Sequence, residues 1–321
     1  MEVKAWTYEE FPSFDEAVEG VTHLPTTGDE AGSSVFTDIK YCEIGGTELH
    51  LEFVIPENRN HNLGAYFMGD PNADESKRPK YPCIAFVRGS GWGPQMMHLN
   101  LSAYARLAER GYVVAAVEYR HNGIAAFPAP IVDARNAVRY LRSHAKEWFI
   151  DPDQIFLGGD SSGGHTCLYA GLYQNDDDPE ENLFPGVSAS VKGIIALFPA
   201  CDFTFPDSNP TTVNHNQPDS PEGREMGGAD LNAHPELAEK LTVRTNITAD
   251  TDYPPCLLFH GSKDRTVNCG CSVKLYEHLK SLGKDVSLYI LDGADHGGAE
   301  FWTDAVVDIE DRFLKKCMEK A

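Results

Sequence analysis

Short apolar runs alternate with segments of helical periodicity over most of the chain. The run Cys83-Ile84-Ala85-Phe86-Val87 is apolar throughout, as in strands that are buried on both faces. Later apolar runs predict strands at 112–117, 154–157, 191–198, 256–260 and 286–291, and the segments around them predict helices at 101–110, 131–146, 162–173 and 272–282, with a last helix toward Cys317. Strands and helices in strict turn imply right-handed crossovers. We therefore predict an α/β fold with a mostly parallel sheet and helices on both of its faces.

An antiparallel hairpin is predicted ahead of this pattern. Polar and apolar residues alternate over 38–44 and 49–55, and the pair Gly45-Gly46 between them suits a tight turn. The alternation predicts a hairpin that is apolar on one face only. Residues 1–37 are mostly polar and are predicted to form an N-terminal extension.

The segment 202–250 interrupts the alternation of strands and helices. It is rich in Pro, Asn, Asp and Gly, and it has one helical stretch at 235–241. Because it is inserted between two core strands, we predict a cap over a site at the carboxyl ends of the strands. A surface excursion without substrate contact is the alternative. No repeat or linker divides the chain, so residues 1–321 are predicted to form a single domain.

The charge balance limits the partners that we expect. The 321 residues include 27 Lys and Arg against 49 Asp and Glu, which gives a formal net charge of -22. This negative field repels polyanions, so neither nucleic acid nor a membrane is an expected partner. No apolar stretch reaches the length of a membrane-spanning helix, and the first residues lack the apolar core of a signal peptide. We therefore expect a cytoplasmic protein, whose oligomeric state the sequence does not determine.

The eight cysteines form neither a disulfide framework nor a metal motif. Cys83, Cys167 and Cys256 lie in or beside apolar runs, where a free thiol behaves as a small apolar side chain. The close pair Cys269-Gly270-Cys271 lacks a second pair and a suitably spaced histidine. We expect no metal site and no other cofactor.

A candidate nucleophile follows the predicted strand at 154–157. The run Gly159-Asp160-Ser161-Ser162-Gly163 matches Gly-x-Ser-x-Gly and lies between a strand and a helix, the context that this motif requires. Side chains in place of the outer glycines would collide where strand and helix converge. Centring the pattern on Ser162 instead of Ser161 would put Asp160 where a glycine is needed. A glycine-rich turn with an idle serine is the alternative.

A serine nucleophile needs a base that is itself oriented by a carboxylate. Asp264 follows the predicted strand at 256–260, and His296 follows the strand at 286–291, so both are expected at the sheet edge of Ser161. His165, on the helix after the serine, and His260, at the end of a strand, are weaker candidates for the base. The competing carboxylates near these loops are Asp250, Asp252, Asp292 and Asp295.

Donors for the oxyanion of a tetrahedral intermediate are the third requirement. The backbone amide of Ser162, directly after the serine, is one candidate. The glycine-rich run at 88–93 follows an apolar strand, and its backbone could turn further amides toward the site. A plain glycine turn is the alternative for this run.

From about Asp38 to Trp302 the chain resembles esterases of the α/β-hydrolase fold. The run 159–164 is similar to the Gly-Asp-Ser-Ala-Gly-Gly element of hormone-sensitive-lipase-like carboxylesterases. Other parts of the chain resemble more closely the bacterial feruloyl and acetyl esterases that act on plant cell-wall decorations. These parts are the runs 127–130, 137–141, 150–152 and 296–302 and the residue Asp133. The resemblance implies that Ser161, Asp264 and His296 form the catalytic triad.

The loop expected to bind the oxyanion departs from that family. The family pattern is His-Gly-Gly-Gly-Trp, whereas this chain has Arg88-Gly89-Ser90-Gly91-Trp92. By resemblance, the amides of Ser90 and Gly91 join that of Ser162 as oxyanion donors, and Arg88 and Trp92 bind substrate. A side chain at Ser90 would cost ~1 kcal/mol if that residue needs a positive φ. Arg88 is expected either to brace the loop or to bind a carboxylate of the substrate.

These inferences converge on a serine carboxylester hydrolase. The resemblance implies short acyl groups, especially acetyl on carbohydrate, or hydroxycinnamoyl esters. The expected partner is therefore a small-molecule or carbohydrate ester. An arylformamidase or a small peptidase with the same triad, and a non-catalytic binding module that retains the fold, are the alternatives.

Overall fold

The computed structural model describes residues 4, 6, 10–61, 63–69, 73–174, 182–204 and 210–319. Within them, eight strands form one sheet in the order β1-β2-β4-β3-β5-β6-β7-β8. The strands are β1 (Gly32–Ile44), β2 (Thr47–Glu57), β3 (Tyr81–Val87), β4 (Val113–Val117), β5 (Ile150–Asp160), β6 (Ile194–Leu197), β7 (Cys256–Gly261) and β8 (Val286–Leu291). The pairs β1–β2 and β2–β4 are antiparallel, and all other neighbours are parallel. The expected α/β-hydrolase fold is confirmed.

Helices connect the parallel strands. They are α1 (Leu63–Phe67), α2 (Leu101–Ala108), α3 (Ala129–Ser143), α4 (Ser161–Ala170), α5 (Pro221–Glu225), α6 (Pro235–Leu241), α7 (Gly270–Ser281) and α8 (Asp304–Met318). In the described ranges, none of the helices has both the length and the apolar composition needed to cross a membrane.

Both faces of the sheet are covered, as the continuous apolar strands predict. In β3, Cys83, Ala85 and Val87 pack into the core that also contains side chains of α3, α4 and α7. The alternate residues Ile84 and Phe86 pack into a second core with side chains of α2 and α8. Since successive strand residues point to opposite faces, a strand between two helical layers is apolar at every position.

The N-terminal hairpin is present, but two details of its prediction are wrong. β1 begins at Gly32, inside the segment 1–37 that was expected to be an extension. Residues 51–56 of β2 are all buried, so this strand is not apolar on one face only. The reason is its place in the sheet, because β2 lies between β1 and β4 instead of at an edge. Residues 1–3, 5 and 7–9 of the predicted extension lie outside the described part.

The described residues of the inserted segment, 202–204 and 210–250, contact the loops that follow β6 and β7 at the carboxyl edge of the sheet. Helix α6 has the predicted bounds, whereas α5 was not predicted. Ser220 caps α5 by accepting a hydrogen bond from the amide of Gly223, and the helix starts at Pro221. The amide of Val243 donates to the carbonyl of Cys201, which ties the end of the insertion to the loop after β6. Residues 205–209 of the insertion lie outside the described part.

Candidate active site

Ser161 lies at a sharp turn between β5 and α4. Its φ of 52° is in the left-handed region, which costs a residue other than glycine about 1 kcal/mol or more. A Cβ on Gly159 would lie 2.6 Å from the carbonyl carbon of Gly163, and a Cβ on Gly163 would collide with the carbonyl oxygen of Val87. Both outer glycines of the motif are therefore required by close packing of β3, β5 and α4.

His296 and Asp264 lie beside Ser161 in the order that proton transfer requires. The Oγ atom of Ser161 is 2.9 Å from Nε2 of His296, and Nδ1 of His296 is 2.8 Å from Oδ2 of Asp264. The Phe198 ring packs edge-on against the imidazole, with the ring centroids 4.8 Å apart. The parallel strands β5, β7 and β8 end at the same sheet edge, which brings together three residues that are far apart in the sequence.

Several donors hold Asp264 in its ionised form. Its Oδ1 accepts the amides of Thr266 at 2.9 Å and Val267 at 2.8 Å, and its Oδ2 also lies 3.1 Å from Nε2 of His260. Burial raises the pKa of Asp264, but His260, His296 and the amide of Val267 together more than offset it and hold this pKa well below its ordinary value. The carboxylate can therefore orient His296 and stabilise its protonated form.

His260 is a site residue whose role the sequence analysis missed. The sequence indicates His260 only as a weaker candidate for the base, and in the structure its Nε2 lies 3.0 Å from the carbonyl oxygen of Val267. The contact with Asp264 was not foreseen. The available signal was the spacing of His260 and Asp264 around the tight turn that follows β7.

Two competing candidates, Asp295 for the acid and His165 for the base, have other partners. Asp295 receives 2.7 Å and 2.9 Å hydrogen bonds from Nε of Arg265 and the amide of His296, so it supports the histidine loop. The hydrogen bonds from Arg265 lower the pKa of Asp295 to about 2. His165 is buried with Nε2 2.8 Å from the carbonyl oxygen of Leu241, and burial lowers its pKa to about 4.

One of the predicted oxyanion donors in the glycine-rich run 88–93, called the oxyanion loop below, is already paired. The amide of Ser90 donates to Oγ of Ser162 at 3.0 Å, so it is not free for an oxyanion. The amide of Gly91 has no acceptor among the described residues, and that of Ser162, in the first turn of α4, has none within its helix. The residues with positive φ are Gly91 and Trp92, not Ser90, so the strain foreseen for Ser90 does not arise.

The close approach of this loop to the serine explains its first glycine. A Cβ on Gly89 would lie 2.7 Å from Cβ of Ser161 and would collide with the carbonyl oxygen of Asp160. The amide of Gly89 donates to Oδ1 of the buried Asp160 at 2.7 Å, which joins the loop to the end of β5. Burial raises the pKa of Asp160.

Trp92 and Arg88 were both predicted to bind substrate. Trp92 borders the pocket, but it is only 1% exposed, and its ring packs against His165 and Phe203. The prediction that Trp92 binds substrate is therefore wrong, and its buried ring supports the oxyanion loop instead. Arg88 also borders the pocket, and its Nη1 donates to the carbonyl of Gly89 at 3.1 Å, while its buried Nε has no partner among the described residues. This contact favours bracing of the loop over binding of a substrate carboxylate.

A pocket of about 710 Å³ opens at Ser161, and the insertion forms part of its wall. One part of the wall is largely apolar and includes Leu99, Ala103 and Trp302. Another part is polar and comes from the insertion, where Nδ1 of His215 lies 2.7 Å from Oε1 of the buried Glu222. Neither residue belongs to a motif that the sequence indicated.

The polar wall is held by further contacts. Nε2 of His215 lies 2.7 Å from the carbonyl oxygen of Thr266, in the loop that also holds Asp264. Burial lowers the pKa of His215, but Glu222, the Thr266 carbonyl and the charge of Cys271 together raise it by more, so the net shift is upward. A Cβ on Gly91 would lie 3.2 Å from Cβ of Pro221, so α5 packs against the oxyanion loop. The insertion thus contacts both the acid loop and the oxyanion loop.

The order of the strands and the loops at their carboxyl ends define a protein of the α/β-hydrolase fold, with a serine, a histidine and an aspartate each within hydrogen-bonding distance of the next. The chain belongs to the BD-FAE family, whose sequence profile matches residues 71–279. It is 26% identical to the esterase LipC of Mycobacterium tuberculosis (strain ATCC 25618 / H37Rv) over 219 residues, which cover 67% of this chain and 53% of that protein. It is 27% identical over 228 residues to a probable isoprenylcysteine alpha-carbonyl methylesterase of Arabidopsis thaliana, covering 69% and 46%. This chain thus spans about half the length of these relatives.

Solved structures share the fold. A truncated form of carbohydrate esterase from gut microbiota has a TM-score of 0.74 at 21% identity, covering 91% of this chain and 98% of that chain. The esterase Est2 of Thermogutta terrifontis with bound propionate has a TM-score of 0.63 at 22% identity, covering 89% and 94%.

Proposed function

We propose that this protein is a serine carboxylester hydrolase that cleaves short acyl or hydroxycinnamoyl esters. The observation that carries the proposal is the continuous chain of hydrogen-bonding distances from Asp264 through His296 to Ser161. In the first step, Oγ of Ser161 forms a bond to the ester carbonyl carbon and its proton passes to Nε2 of His296. The amides of Gly91 and Ser162 donate to the oxyanion. Collapse of this intermediate releases the alcohol, which takes the proton from His296.

The second step returns the enzyme to its starting state. Water attacks the acyl carbon of the acyl-enzyme and gives a proton to His296. The bond between the acyl carbon and Oγ of Ser161 then breaks, the carboxylic acid leaves, and His296 returns the proton to Ser161. Asp264 remains ionised throughout and stabilises the imidazolium in both steps.

The composition of the pocket wall supports the substrate class. An apolar part with Leu99, Ala103 and Trp302 suits an acyl group, and a polar part with His215 and Glu222 suits an alcohol that carries hydroxyl groups. An acylated carbohydrate of the plant cell wall combines both features. One of the similar solved structures is a truncated carbohydrate esterase from gut microbiota, which supports a carbohydrate ester as the substrate.

The closing test is a panel of esters measured on wild type and on Ser161→Ala. Nitrophenyl esters from acetyl to decanoyl, a feruloyl ester and acetylated xylan cover the substrates in question. We expect the acetyl, feruloyl or xylan substrate to be preferred and Ser161→Ala to lose at least ~10³-fold in kcat. A preference for decanoyl or longer esters would overturn the short-chain proposal.

A reactive probe separates an enzyme from a binding module with the same fold. We expect a fluorophosphonate to label wild type at Ser161 and to leave Ser161→Ala unlabelled. Folded wild type that stays unlabelled would favour the binding module. An arylformamidase or a peptidase would be labelled but would prefer an amide substrate over every ester of the panel. The cytoplasmic location remains a prediction from the sequence.

A further inference from the structure

His260 is buried at the end of β7, and both of its ring nitrogens have partners. Nε2 lies 3.0 Å from the carbonyl oxygen of Val267 and 3.1 Å from Oδ2 of Asp264, and Nδ1 lies 2.8 Å from Oγ of Ser272. A carbonyl oxygen only accepts, so Nε2 carries a proton. That proton is directed to the Val267 carbonyl, and the Asp264 carboxylate lies within ion-pair distance of the same nitrogen.

His260 and His296 meet at the same oxygen of Asp264. Nδ1 of His296 lies 2.8 Å from Oδ2, while Oδ1 is occupied by the amides of Thr266 and Val267. His260 and His296 are therefore the two side chains whose ring nitrogens lie beside the same carboxylate oxygen. Burial lowers the pKa of His260, but the hydrogen bond and charge of Asp264, the charge of Cys271 and the Val267 carbonyl together raise it by more.

We propose that His260 is a positioning residue that fixes the Asp264 carboxylate and limits how tightly His296 holds a proton. The proposal rests on the function proposed above, in which neutral His296 is the base. A second donor at Oδ2 removes part of the negative charge that favours the His296 imidazolium. It also prevents rotation of the carboxylate away from His296. Without His260, His296 would be less well oriented and would stay protonated to a higher pH.

Other charged and titratable groups lie around His260, Asp264 and His296, and they remain unchanged when only His260 is replaced. They are Asp160 at the end of β5, Asp202 and Cys201 after β6, Arg265 and Asp295 in the two loops, Cys269 and Cys271 at the start of α7, and His215 in the insertion. Cys271 needs its own control. Burial raises the pKa of its thiol, but Cys201 and His260 bring it to about 7.

The experiment compares His260→Leu, which removes the donor, with His260→Gln, whose amide can still donate toward Asp264. We expect His260→Leu to lose ~10-fold or more in kcat with little change in KM. In the pH profile of kcat/KM, we expect the acid limb, where activity falls as the pH is lowered, to move up by about 0.5 pH units or more. His260→Gln should reverse most of the loss in kcat and most of this shift. If folded His260→Leu has the same acid limb as wild type in its pH profile of kcat/KM, the proposal is wrong.

Matched controls separate positioning from general packing. His165→Leu removes another fully buried histidine, one that is bonded to the carbonyl of Leu241, and it should leave the acid limb in place. Cys271→Ser should also leave the limb in place. If His165→Leu moves the limb as far as His260→Leu does, the effect is one of packing and the proposal is wrong.

Two further measurements keep the result decisive. If His260→Leu does not fold, Ser272→Ala removes the partner of Nδ1 and should move the limb in the same direction by less, and no movement would contradict the proposal. The proton resonance of the His296–Asp264 hydrogen bond reports the same titration without turnover. Wild type that hydrolyses no ester would contradict the proposed function, whereas active wild type with unshifted variants would contradict only the role of His260.

Discussion

The hydroxyl oxygen of Ser162 lies 3.0 Å from the amide nitrogen of Ser90, and this hydrogen bond joins the helix after the nucleophile to the loop that faces it. These are the two serines at which the chain departs from the Gly-Asp-Ser-Ala-Gly-Gly and His-Gly-Gly-Gly-Trp patterns. Oγ of Ser162 also accepts the amide of Trp92 at 3.2 Å. Oγ of Ser90 donates to the carbonyl of Gly93 at 2.6 Å and lies 2.9 Å from the hydroxyl of the buried Tyr119. The two departures therefore form one polar network behind the oxyanion loop.

We predict that Ser162→Ala weakens catalysis although its own backbone amide is retained. The substitution leaves the amides of Ser90 and Trp92 without their acceptor, and an unpaired buried donor costs about 1–3 kcal/mol. The loop is then expected to shift, and kcat to fall ~10-fold or more. Steady-state kinetics and thermal unfolding measure the two effects. Ser281→Ala removes an exposed hydroxyl on α7 and should change neither, and a fully active Ser162→Ala would contradict the role of this network.

We predict that Gly89→Ala abolishes most of the activity. A Cβ at this position would collide with the carbonyl oxygen of Asp160 and lie 2.7 Å from Cβ of Ser161, so the loop has to move away from the nucleophile. A loss in kcat of ~10²-fold or more is expected, because such displacements disturb the reacting geometry. In the control Gly32→Ala, the new Cβ would lie at an ordinary 3.4 Å from the carbonyl oxygen of Glu57. Equal activity of the two variants would contradict the packing argument.

We predict that Arg88→Met slows the hydrolysis of neutral and anionic esters by the same factor. Nη1 of Arg88 donates to the carbonyl of Gly89, so its loss loosens the loop whichever ester is bound. Nitrophenyl acetate and nitrophenyl hemisuccinate differ by a carboxylate, and kcat/KM for both is expected to fall ~5–10-fold. A loss restricted to the hemisuccinate would show that Arg88 binds a substrate carboxylate. Arg312→Met, exposed on α8, is the matched control.

We predict that Glu310→Gln stabilises the protein at alkaline pH and not at acidic pH. Glu310 is 1% exposed, and burial raises its pKa to about 8, from 4.5. Above pH 4.5 the unfolded chain releases this proton while the folded chain retains it. The stability that Glu310 contributes is therefore present below pH 4.5 and is lost as the pH rises toward 8.

Thermal unfolding at two pH values checks this prediction. At pH 8, Glu310→Gln should unfold about 3 °C or more above wild type, and at pH 4.5 the two should coincide. The exposed Glu277→Gln on α7 should follow wild type at both pH values. A destabilised Glu310→Gln at pH 8 would show that the ionised carboxylate is stabilising in the folded state.

Local patterns determined much of the fold and the position of the nucleophile. The bounds of β8 and α6 agree with the sequence pattern, and the Gly-x-Ser-x-Gly run put Ser161 between β5 and α4. Strand and helix periodicities depend on neighbours two to four residues away, so the chain itself contains this information. The positions of Asp264 and His296 followed from the rule that parallel strands end at the same sheet edge.

Only the tertiary structure decided which polar groups in the site are already paired. The sequence indicated Ser90 as an oxyanion donor, but the hydroxyl of Ser162, on another element, takes its amide. It did not indicate that His260 would reach Asp264, or that Glu222 and His215 of the insertion would line the pocket. Each of these contacts depends on how separate elements pack and on which rotamer each side chain adopts. Those choices are made by long-range packing, which no periodicity along the chain encodes.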